Sequence, residues 1–199
     1  MPLTCQTPAG GRDTGSRGGR LFVVSAPSGA GKTTLCRAAR RLLPNLVYSV
    51  SSTTRAPRKG ERDGQDYFFV TPARFREGIR SGQWAEWARV HGHYYGTSAR
   101  FIEDHLRAGR DVLLDIDVQG AEQILRRYPR AVTIFIAAPS MMALRQRLSD
   151  RGLDSQEVID RRMKNAEGEM ARKGMYRHVV VNDDLDVAIA RFVSLLRDS

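Results

Sequence analysis

The chain has 199 residues, of which 41% are apolar, and its formal net charge at pH 7 is +10. This length and composition suit one globular domain with a full hydrophobic core. No apolar stretch approaches the ~20 residues of a membrane-spanning helix, and the N-terminal segment lacks the apolar block of a signal peptide. Two cysteines, Cys5 and Cys36, cannot form a disulfide framework. We therefore expect a cytoplasmic protein rather than a membrane protein or a disulfide-rich secreted one.

Arginine supplies most of the positive charge, because only four of the 32 basic residues are lysines. A basic balance is typical of nucleic-acid-binding proteins. It is equally typical of enzymes that gather small polyphosphates, since a guanidinium group can bind two phosphate oxygens at once. The composition leaves both classes open, and the placement of the arginines has to decide between them.

The predicted elements begin after a polar tail. Residues 1–20 are rich in Gly, Arg, Thr and Ser, and we expect them to be disordered. An apolar strand follows at residues 21–24 and ends in a Gly-rich turn. A helix then begins, in which Cys36 is expected to be a small packed residue, and Pro44 closes it. The apolar residues expected on one face of this helix are Leu35, Ala38, Ala39 and Leu42.

Strands and helices alternate over most of the remaining chain. Short apolar runs predict strands at residues 46–50, 112–116, 132–137 and 179–181. Helical periodicity predicts helices at residues 98–108, 118–128, 140–151, 155–172 and 185–196. Continuous apolar strands separated by helices indicate an α/β fold with a parallel sheet covered on both faces.

One segment, residues 51–97, interrupts this alternation. It contains turn signals, a short predicted strand at residues 67–70, and a helix opened by Thr71 and Pro72. Aromatic residues then crowd together at Trp84, Trp87, Tyr94 and Tyr95. We interpret this segment as an inserted subdomain that binds a substrate.

A phosphate-binding loop is predicted between the first strand and the first helix. Residues 26–33 read APSGAGKT, which matches the P-loop pattern G-x-x-x-x-G-K-[ST] except that Ala26 replaces the first Gly. Gly29 and Gly31 let successive backbone N–H groups point at phosphates, and Lys32 adds a positive charge near the β- and γ-phosphates. The predicted ATP-binding residues of the loop are Ala26, Pro27, Ser28, Gly29, Ala30, Gly31, Lys32, Thr33 and Thr34.

A magnesium site is predicted beside this loop. The Thr33 hydroxyl can ligate Mg²⁺, and a carboxylate at the end of a neighbouring strand should hold its hydration shell. The strand at residues 112–116 runs into Asp115 and Asp117, and because side chains alternate along a strand we expect these two to point the same way. Two adjacent buried carboxylates need cations or donors nearby, which a metal and a substrate supply. We expect Mg²⁺ to enter with ATP and to be held by Thr33 and Asp115.

A second phosphate site is suggested by the insertion. Arg55 and Arg58 flank a proline that stiffens the turn, so their guanidinium groups could clamp one phosphate. The hydroxyls of Tyr67 and Tyr95 could donate to the same phosphate. From these residues alone, a solvated loop is as good an interpretation as a binding site.

The sequence around Arg55 and Arg58 favours a binding site over a solvated loop. Residues 49–69 closely resemble the nucleotide-monophosphate-binding signature of guanylate kinases, and the resemblance continues through residues 84–88, 94–97, 114–120 and 181–185. It covers about residues 20–199. It implies a P-loop NTPase three-layer fold with a central parallel sheet. Its divisions would be a core at residues 21–50 and 98–199, a GMP-binding insertion at residues 51–97 and a helical lid at about residues 141–165.

The resemblance also implies the residues of both substrate sites. In the lid, Arg147 and Arg151 match arginines that close over the transferring phosphate, and Arg162 and Asn182 would lie near ATP. The catalytic set would be Lys32, Arg55, Arg58, Arg147 and Arg151. The GMP-binding set would be Ser51, Arg55, Arg58, Tyr67, Glu86, Tyr95, Thr97 and Asp117, where Thr97 stands at a position that can equally be Ser.

The implied reaction transfers the γ-phosphate of ATP to GMP, and to dGMP, in purine nucleotide metabolism. Glu86 suits this substrate because an ionised carboxylate accepts hydrogen bonds from guanine N1–H and the 2-amino group, while it repels the N1 lone pair of adenine. The Ser51 and Thr97 hydroxyls can donate to guanine O6. The plain alternative is that Glu86, between Trp84 and Trp87, only occupies an exposed face.

Three other functions compete with this one. A P-loop kinase for a phosphorylated sugar would leave Ser51, Glu86 and Thr97 without a task. A protein-binding module on the same fold would lack a working P-loop, whereas Lys32 and Thr33 are present. A nucleic-acid-binding protein rests on charge alone. We therefore expect ATP and GMP as partners, neither nucleic acid nor a membrane, and an oligomeric state that the sequence leaves open, a homo-oligomer included.

Overall fold

Alternating strands and helices build two sheets in the computed structural model, which describes residues 18–90, 92–150, 152 and 154–199. Residues 1–17 of the predicted tail and the predicted lid residue Arg151 lie outside the described residues. The elements in chain order are β1 (Leu21–Ser25), α1 (Lys32–Leu42), β2 (Val47–Tyr48), β3 (Ser52–Thr53), β4 (Phe68–Phe69), α2 (Pro72–Arg80), β5 (Trp84–Val90), β6 (His93–Ser98), α3 (Ala99–Arg107), β7 (Val112–Asp115), α4 (Val118–Arg127), β8 (Val132–Ala137), α5 (Met141–Asp150), α6 (Gln156–Ala171), β9 (His178–Val181) and α7 (Leu185–Asp198).

The larger sheet is parallel and has the strand order β2-β7-β1-β8-β9. The sequence-based prediction of a parallel α/β sheet is therefore confirmed. Strand β2 is shorter than the predicted strand at residues 46–50 and comprises only Val47–Tyr48. The carboxyl ends of the strands share one edge of the sheet, which is where ligands bind in folds of this kind.

Both faces of this sheet are covered by helices. Along β1, Phe22 and Val24 belong to a core cluster shared with α1, α5, α6 and α7, while Leu21 and Val23 belong to a second cluster shared with α3 and α4. Cys36 is buried in the first cluster, as expected. Leu42 was predicted to join it, but this prediction is wrong: Leu42 is 52% exposed. Since α1 ends there, the cluster is closed instead by Leu43 and Leu46, which pack against it.

The insertion forms a smaller sheet of four strands in the order β4-β3-β6-β5. The helix opened by Thr71 and Pro72 is confirmed, and the Thr71 hydroxyl caps it by accepting from the backbone N–H of Arg74 (3.2 Å). The aromatic crowding predicted for this segment is a small core in which the Phe75 ring stacks on Trp84 (4.4 Å) and Tyr94 (5.2 Å). The sequence-based prediction missed strands β3, β5 and β6.

No helix within the described residues is both long and apolar enough to cross a membrane.

Candidate active site

The P-loop joins β1 to α1, and two of its positions tolerate only glycine. Gly29 and Gly31 have φ values of 93° and 97°, in the left-handed region that favours glycine. A Cβ at Gly29 would lie 3.1 Å from Leu148 of α5, and one at Gly31 would lie 2.2 Å from the Asn182 amide nitrogen. That amide donates to the Ala30 carbonyl (2.8 Å). The loop is therefore braced from two sides.

Lys32 begins α1 and faces Asp115 at the end of the neighbouring strand β7. Its Nζ lies 2.6 Å from Asp115 Oδ1 and donates to the Ile116 carbonyl (3.3 Å). Burial works to lower the pKa of Lys32, but the attraction of Asp115 outweighs it, so the pKa is raised and the ammonium group stays charged. Tyr48 donates its hydroxyl to the other carboxylate oxygen, Asp115 Oδ2 (3.3 Å). The ammonium group is thus held in place by a carboxylate that Tyr48 fixes in turn.

The expectation that one strand carries both Asp115 and Asp117 is wrong. Strand β7 ends at Asp115, and Asp117 caps helix α4 by accepting from the Gly120 backbone N–H (2.7 Å). A carboxylate at this position is favoured because it satisfies an otherwise unpaired N–H group of the first turn. Both aspartates still reach the same cavity.

This cavity, of about 330 Å³, lies between the P-loop edge of the parallel sheet and the smaller sheet. Ser49 and Tyr48 also line it, and neither was among the predicted site residues. The predicted site residues that line it are Lys32, Thr33, Ser51, Tyr67, Glu86, Tyr95, Asp115 and Asp117. The structure therefore brings residues from the P-loop, from β7 and from the insertion together around one space.

Glu86 is buried in the wall of this cavity, with 5% of its surface exposed. The alternative that Glu86 only occupies an exposed face is therefore wrong. Thr97 is fully buried and donates its hydroxyl to Glu86 Oε1 (2.6 Å), so in this structure it supports the carboxylate rather than lining the cavity. Burial raises the pKa of Glu86 to about 7, although the Thr97 hydrogen bond works against the increase.

A second groove, of about 340 Å³, is lined by arginines from two separate segments. Arg55 and Arg58 come from the insertion, and Arg162 comes from α6. Arg162, which the resemblance to guanylate kinases implies to lie near ATP, lines this groove together with the insertion arginines. Arg161, His93 and Asn165, which were not among the predicted residues, also line this groove.

Glu61 holds the arginine turn in shape and was also missed. It accepts from the Arg55 guanidinium (2.8 Å) and from the Arg58 backbone N–H (2.7 Å). These bonds lower the pKa of Glu61. The Arg55 guanidinium also lies over the Tyr67 ring (5.4 Å). A signal was present in the sequence, because Glu61 is the first acidic residue after this arginine pair.

The remaining predicted residues lie next to the P-loop or near the second groove. Arg147 on α5 donates to the Asn182 carbonyl (2.8 Å), and Asn182 in turn braces the loop. Arg162 is paired with Asp154 (3.0 Å). Helix α5 was predicted to belong to a lid. Its residues Leu144 and Leu148 pack in the core cluster that contains Phe22 and Val24 of β1. The predicted role of Arg151 falls on a residue outside the described part of the chain.

The donor set near Lys32 fits a magnesium ion bound together with a nucleotide. Thr33 and Asp115 offer hard oxygen ligands on one cavity, and Mg²⁺ characteristically uses one or two such protein ligands beside phosphates and water. Over the described residues there is no cluster of three His, Cys, Asp or Glu side chains that would bind a metal by itself. The arrangement can hold a polyphosphate at the P-loop and a second phosphate between arginines.

The chain is similar to known proteins in sequence and in fold. The family model described as guanylate kinase matches residues 18–199. The guanylate kinase of Geobacter sulfurreducens is 49% identical over 180 residues, covering 90% of this chain and 89% of that protein. The guanylate kinase of Dechloromonas aromatica is 49% identical over 181 residues, covering 91% and 90%. The crystal structure of guanylate kinase from Anaplasma phagocytophilum is similar with a TM-score of 0.73 and 36% identity, covering 91% of this chain and 86% of that one.

Proposed function

The chain belongs to the guanylate kinase family, and from this membership we propose that it transfers the γ-phosphate of ATP to GMP, giving ADP and GDP. The observation that carries the proposal is the single cavity in which the P-loop lysine Lys32 and the buried carboxylate of Glu86 face the same space. A phosphate-binding loop alone would suit any P-loop enzyme. A buried acceptor opposite it suits a substrate that is both phosphorylated and rich in donors, as guanine is.

ATP is proposed to lie along the P-loop, with its β- and γ-phosphates at the backbone N–H groups of residues 29–33 and at Lys32. GMP is proposed to place its base at Glu86, with Ser51 and Asp117 nearby, and its phosphate at Arg55, Arg58, Tyr67 and Tyr95. The loop bracing by Asn182 supports this, because a donor array that is already fixed needs no reordering when the nucleotide binds. Thr97 is proposed to act through Glu86.

The chemistry asked of the protein is mainly positioning and charge neutralisation. An oxygen of the GMP phosphate attacks the γ-phosphorus in line with the bond to the β-phosphate oxygen, that bond breaks, and ADP leaves. Lys32, Arg55, Arg58, Arg147, Arg151 and Arg162 are proposed to offset the negative charge that gathers on the transferring group. Thr33 and Asp115 would hold Mg²⁺ bound with ATP, and the ion would supply further neutralisation of the phosphate charge.

The proposal extends to the substrate range, the cellular location, the partners and the oligomeric state. We propose that dGMP is also a substrate, that the enzyme works in the cytoplasm, that it needs neither nucleic acid nor a membrane, and that it can form a homo-oligomer. A coupled assay of ADP formation with GMP, dGMP, AMP, CMP and UMP tests the substrate assignment. ADP formation that depends on GMP supports it. Equal rates with all monophosphates, or no GMP-dependent turnover, would contradict it and would leave a binding module as the better interpretation.

The pH dependence of GMP binding follows from the buried carboxylate. Glu86 must be ionised to accept from guanine, and its pKa is raised to about 7, with Asp117 as the acidic neighbour that adds to the increase. Lowering the pH from 8 to 6 should therefore raise the KM for GMP about tenfold, since one proton must be lost on binding. The titration of the phosphate itself, with a pKa of about 6, adds only a factor of about two.

Measuring KM for GMP and for ATP over this pH range checks the prediction. The KM for ATP serves as the internal control for loss of folding. A KM for GMP that stays constant between pH 8 and 6 would show that the ionisation of Glu86 is not linked to GMP binding.

Closure around both substrates is also expected. Arginines from the insertion and from α6 line the same open groove, and a phosphate bound in it would attract both sides. GMP together with a non-hydrolysable ATP analogue should therefore reduce the radius of gyration more than either ligand alone. Small-angle X-ray scattering measures this. An unchanged radius at saturating concentrations of both ligands would argue against closure.

A further inference from the structure

The strand that carries Glu86 has an unusual support. Strand β5 is the outer strand of the smaller sheet, so within the described part of the chain one side of its backbone has no neighbouring strand. At Trp87, directly after Glu86, the backbone N–H donates to Gln123 Oε1 (3.1 Å) and the carbonyl accepts from Gln123 Nε2 (2.8 Å). One side-chain amide of helix α4 thus pairs with both backbone groups, as a neighbouring strand would.

The same face of helix α4 also approaches the carboxylate itself. Gly120 lies three residues before Gln123, a spacing that puts both on one side of a helix. A Cβ at Gly120 would lie 2.7 Å from Glu86 Oε2 and 3.2 Å from the Glu86 Cδ. Gly120 is not among the residues with positive φ, so its backbone would accept alanine. The glycine therefore provides space for the Glu86 carboxylate rather than a special backbone conformation.

We propose that helix α4 sets the position of the base-reading carboxylate, with Gln123 fixing the strand beside Glu86 and Gly120 leaving the space that the carboxylate occupies. Both are positioning residues that determine specificity. The proposal rests on the proposed function, in which Glu86 reads guanine.

The position of helix α4 makes this support significant. Helix α4 follows β7 and is capped by Asp117 beside the P-loop cavity, whereas β5 belongs to the insertion. A carboxylate supported only by the insertion would shift wherever that sheet moves. Contacts from α4 instead tie Glu86 to a helix that follows β7, the strand beside β1 and its P-loop, so α4 would hold the carboxylate at a fixed distance from the P-loop.

The test compares Gln123→Ala and Gly120→Ala with two matched controls. Gln119→Ala removes an exposed amide from the same helix, and Gly168→Ala adds a methyl group to α6 where no atom lies within 4 Å. Each variant is assayed for kcat, KM for ATP and KM for GMP, and for the ratio of kcat/KM between GMP and IMP. IMP lacks the 2-amino donor that Glu86 is proposed to bind.

Gln123→Ala and Gly120→Ala should each raise the KM for GMP about tenfold and reduce the preference for GMP over IMP, as expected when hydrogen bonds to a buried group are lost or misplaced. Their kcat and KM for ATP should stay within about twofold of the wild type, which is below the effect of one lost hydrogen bond. Both controls should match the wild type. In a Glu86→Ala background, Gln123→Ala should cause no further loss of GMP preference, because it acts through the absent carboxylate.

The opposite results overturn the inference. Variants that melt at lower temperature yet keep the KM for GMP would show that Gln123 and Gly120 only stabilise the fold. Equal increases in both KM values would show a general disturbance. If Gly120→Ala fails to fold, Gln123→Ala decides the question alone. A Glu86→Ala enzyme that keeps the wild-type preference for GMP over IMP would show, separately, that Glu86 does not read the base.

Discussion

Replacing Lys32 with Met is expected to lower kcat for GDP formation about 10²- to 10³-fold, the usual cost of removing one charge aimed at the transition state. Methionine keeps the length of the side chain and its packing, while it removes the ammonium group. In the free protein this group is paired with Asp115 at 2.6 Å, so it is already at the carboxylate proposed to serve the metal. The loss should appear in kcat rather than in the KM for GMP, because GMP is proposed to bind at the residues of the insertion and not at Lys32.

The fold of this variant should persist, since Asp115 keeps the hydrogen bond from Tyr48. Circular dichroism and thermal melting check that point, and the measurement of kcat with saturating ATP and GMP checks the main one. Lys173→Met, at an exposed lysine, is the matched control and should keep wild-type turnover. A Lys32→Met enzyme with near wild-type kcat would exclude Lys32 from the catalytic set.

Replacing Glu86 with Gln is expected to reduce kcat/KM for GMP by about 10²- to 10⁴-fold, as for other sites whose buried groups are left unpaired with their substrate. The change substitutes one acceptor oxygen with a donor amide that faces the guanine donors. The gap between GMP and AMP should therefore narrow, while the KM for ATP stays close to that of the wild type. The same kinetic measurements on Glu167→Gln, at an exposed carboxylate of α6, provide the control.

The same variant should be more stable than the wild type at pH 8. A folded-state pKa raised from 4.5 to about 7 means that folding favours the protonated acid, so this contribution is present below pH 4.5 and is lost as the pH rises through 7. Ionised Glu86 thus costs stability above pH 7, by at most about 3 kcal/mol for a shift of this size. Glutamine has no such cost, and its amide oxygen can still accept from Thr97.

Thermal melting of both proteins at pH 5 and pH 8 measures this difference. The advantage of Glu86→Gln should be larger at pH 8 than at pH 5. Equal kcat/KM for GMP in the two proteins would show that Glu86 does not read the base, whatever their stabilities.

The parts of the molecule that were predictable from sequence are those with a local pattern. Strand β1, the P-loop and helix α1 were predictable because an apolar run, a Gly-Lys-Thr turn and helical spacing follow one another directly. The cap of α2 at Thr71 was predictable for the same reason. The binding residues of the insertion became predictable only through the resemblance to a family, since Arg55 and Arg58 alone fit a solvated loop equally well.

Features that depend on where an element ends, or on distant parts of the chain, were not predictable from sequence. Asp117 follows β7 by two residues, yet it caps a helix, because the strand ends where the backbone turns toward α4. Strand β5 was missed because Trp84, Ala85 and Glu86 are all buried, which removes the alternation of buried and exposed residues that identifies a strand. The positions of Tyr48 and Gln123 depend on partners 67 and 36 residues away.

The side chains of β1 alternate between the two core clusters, and this has a consequence for how the molecule unfolds. Loss of either helical layer strips one face of the strand that leads into the P-loop, so neither layer can melt while the nucleotide-binding loop survives. The parallel sheet and both layers should therefore form one cooperative unit in hydrogen exchange. The insertion has its own aromatic core around Phe75 and joins this unit where β5 contacts α4, so it should open at lower free energy once those contacts are lost. Occupancy of the P-loop would then slow exchange throughout the parallel sheet, while exchange in the smaller sheet would respond to GMP.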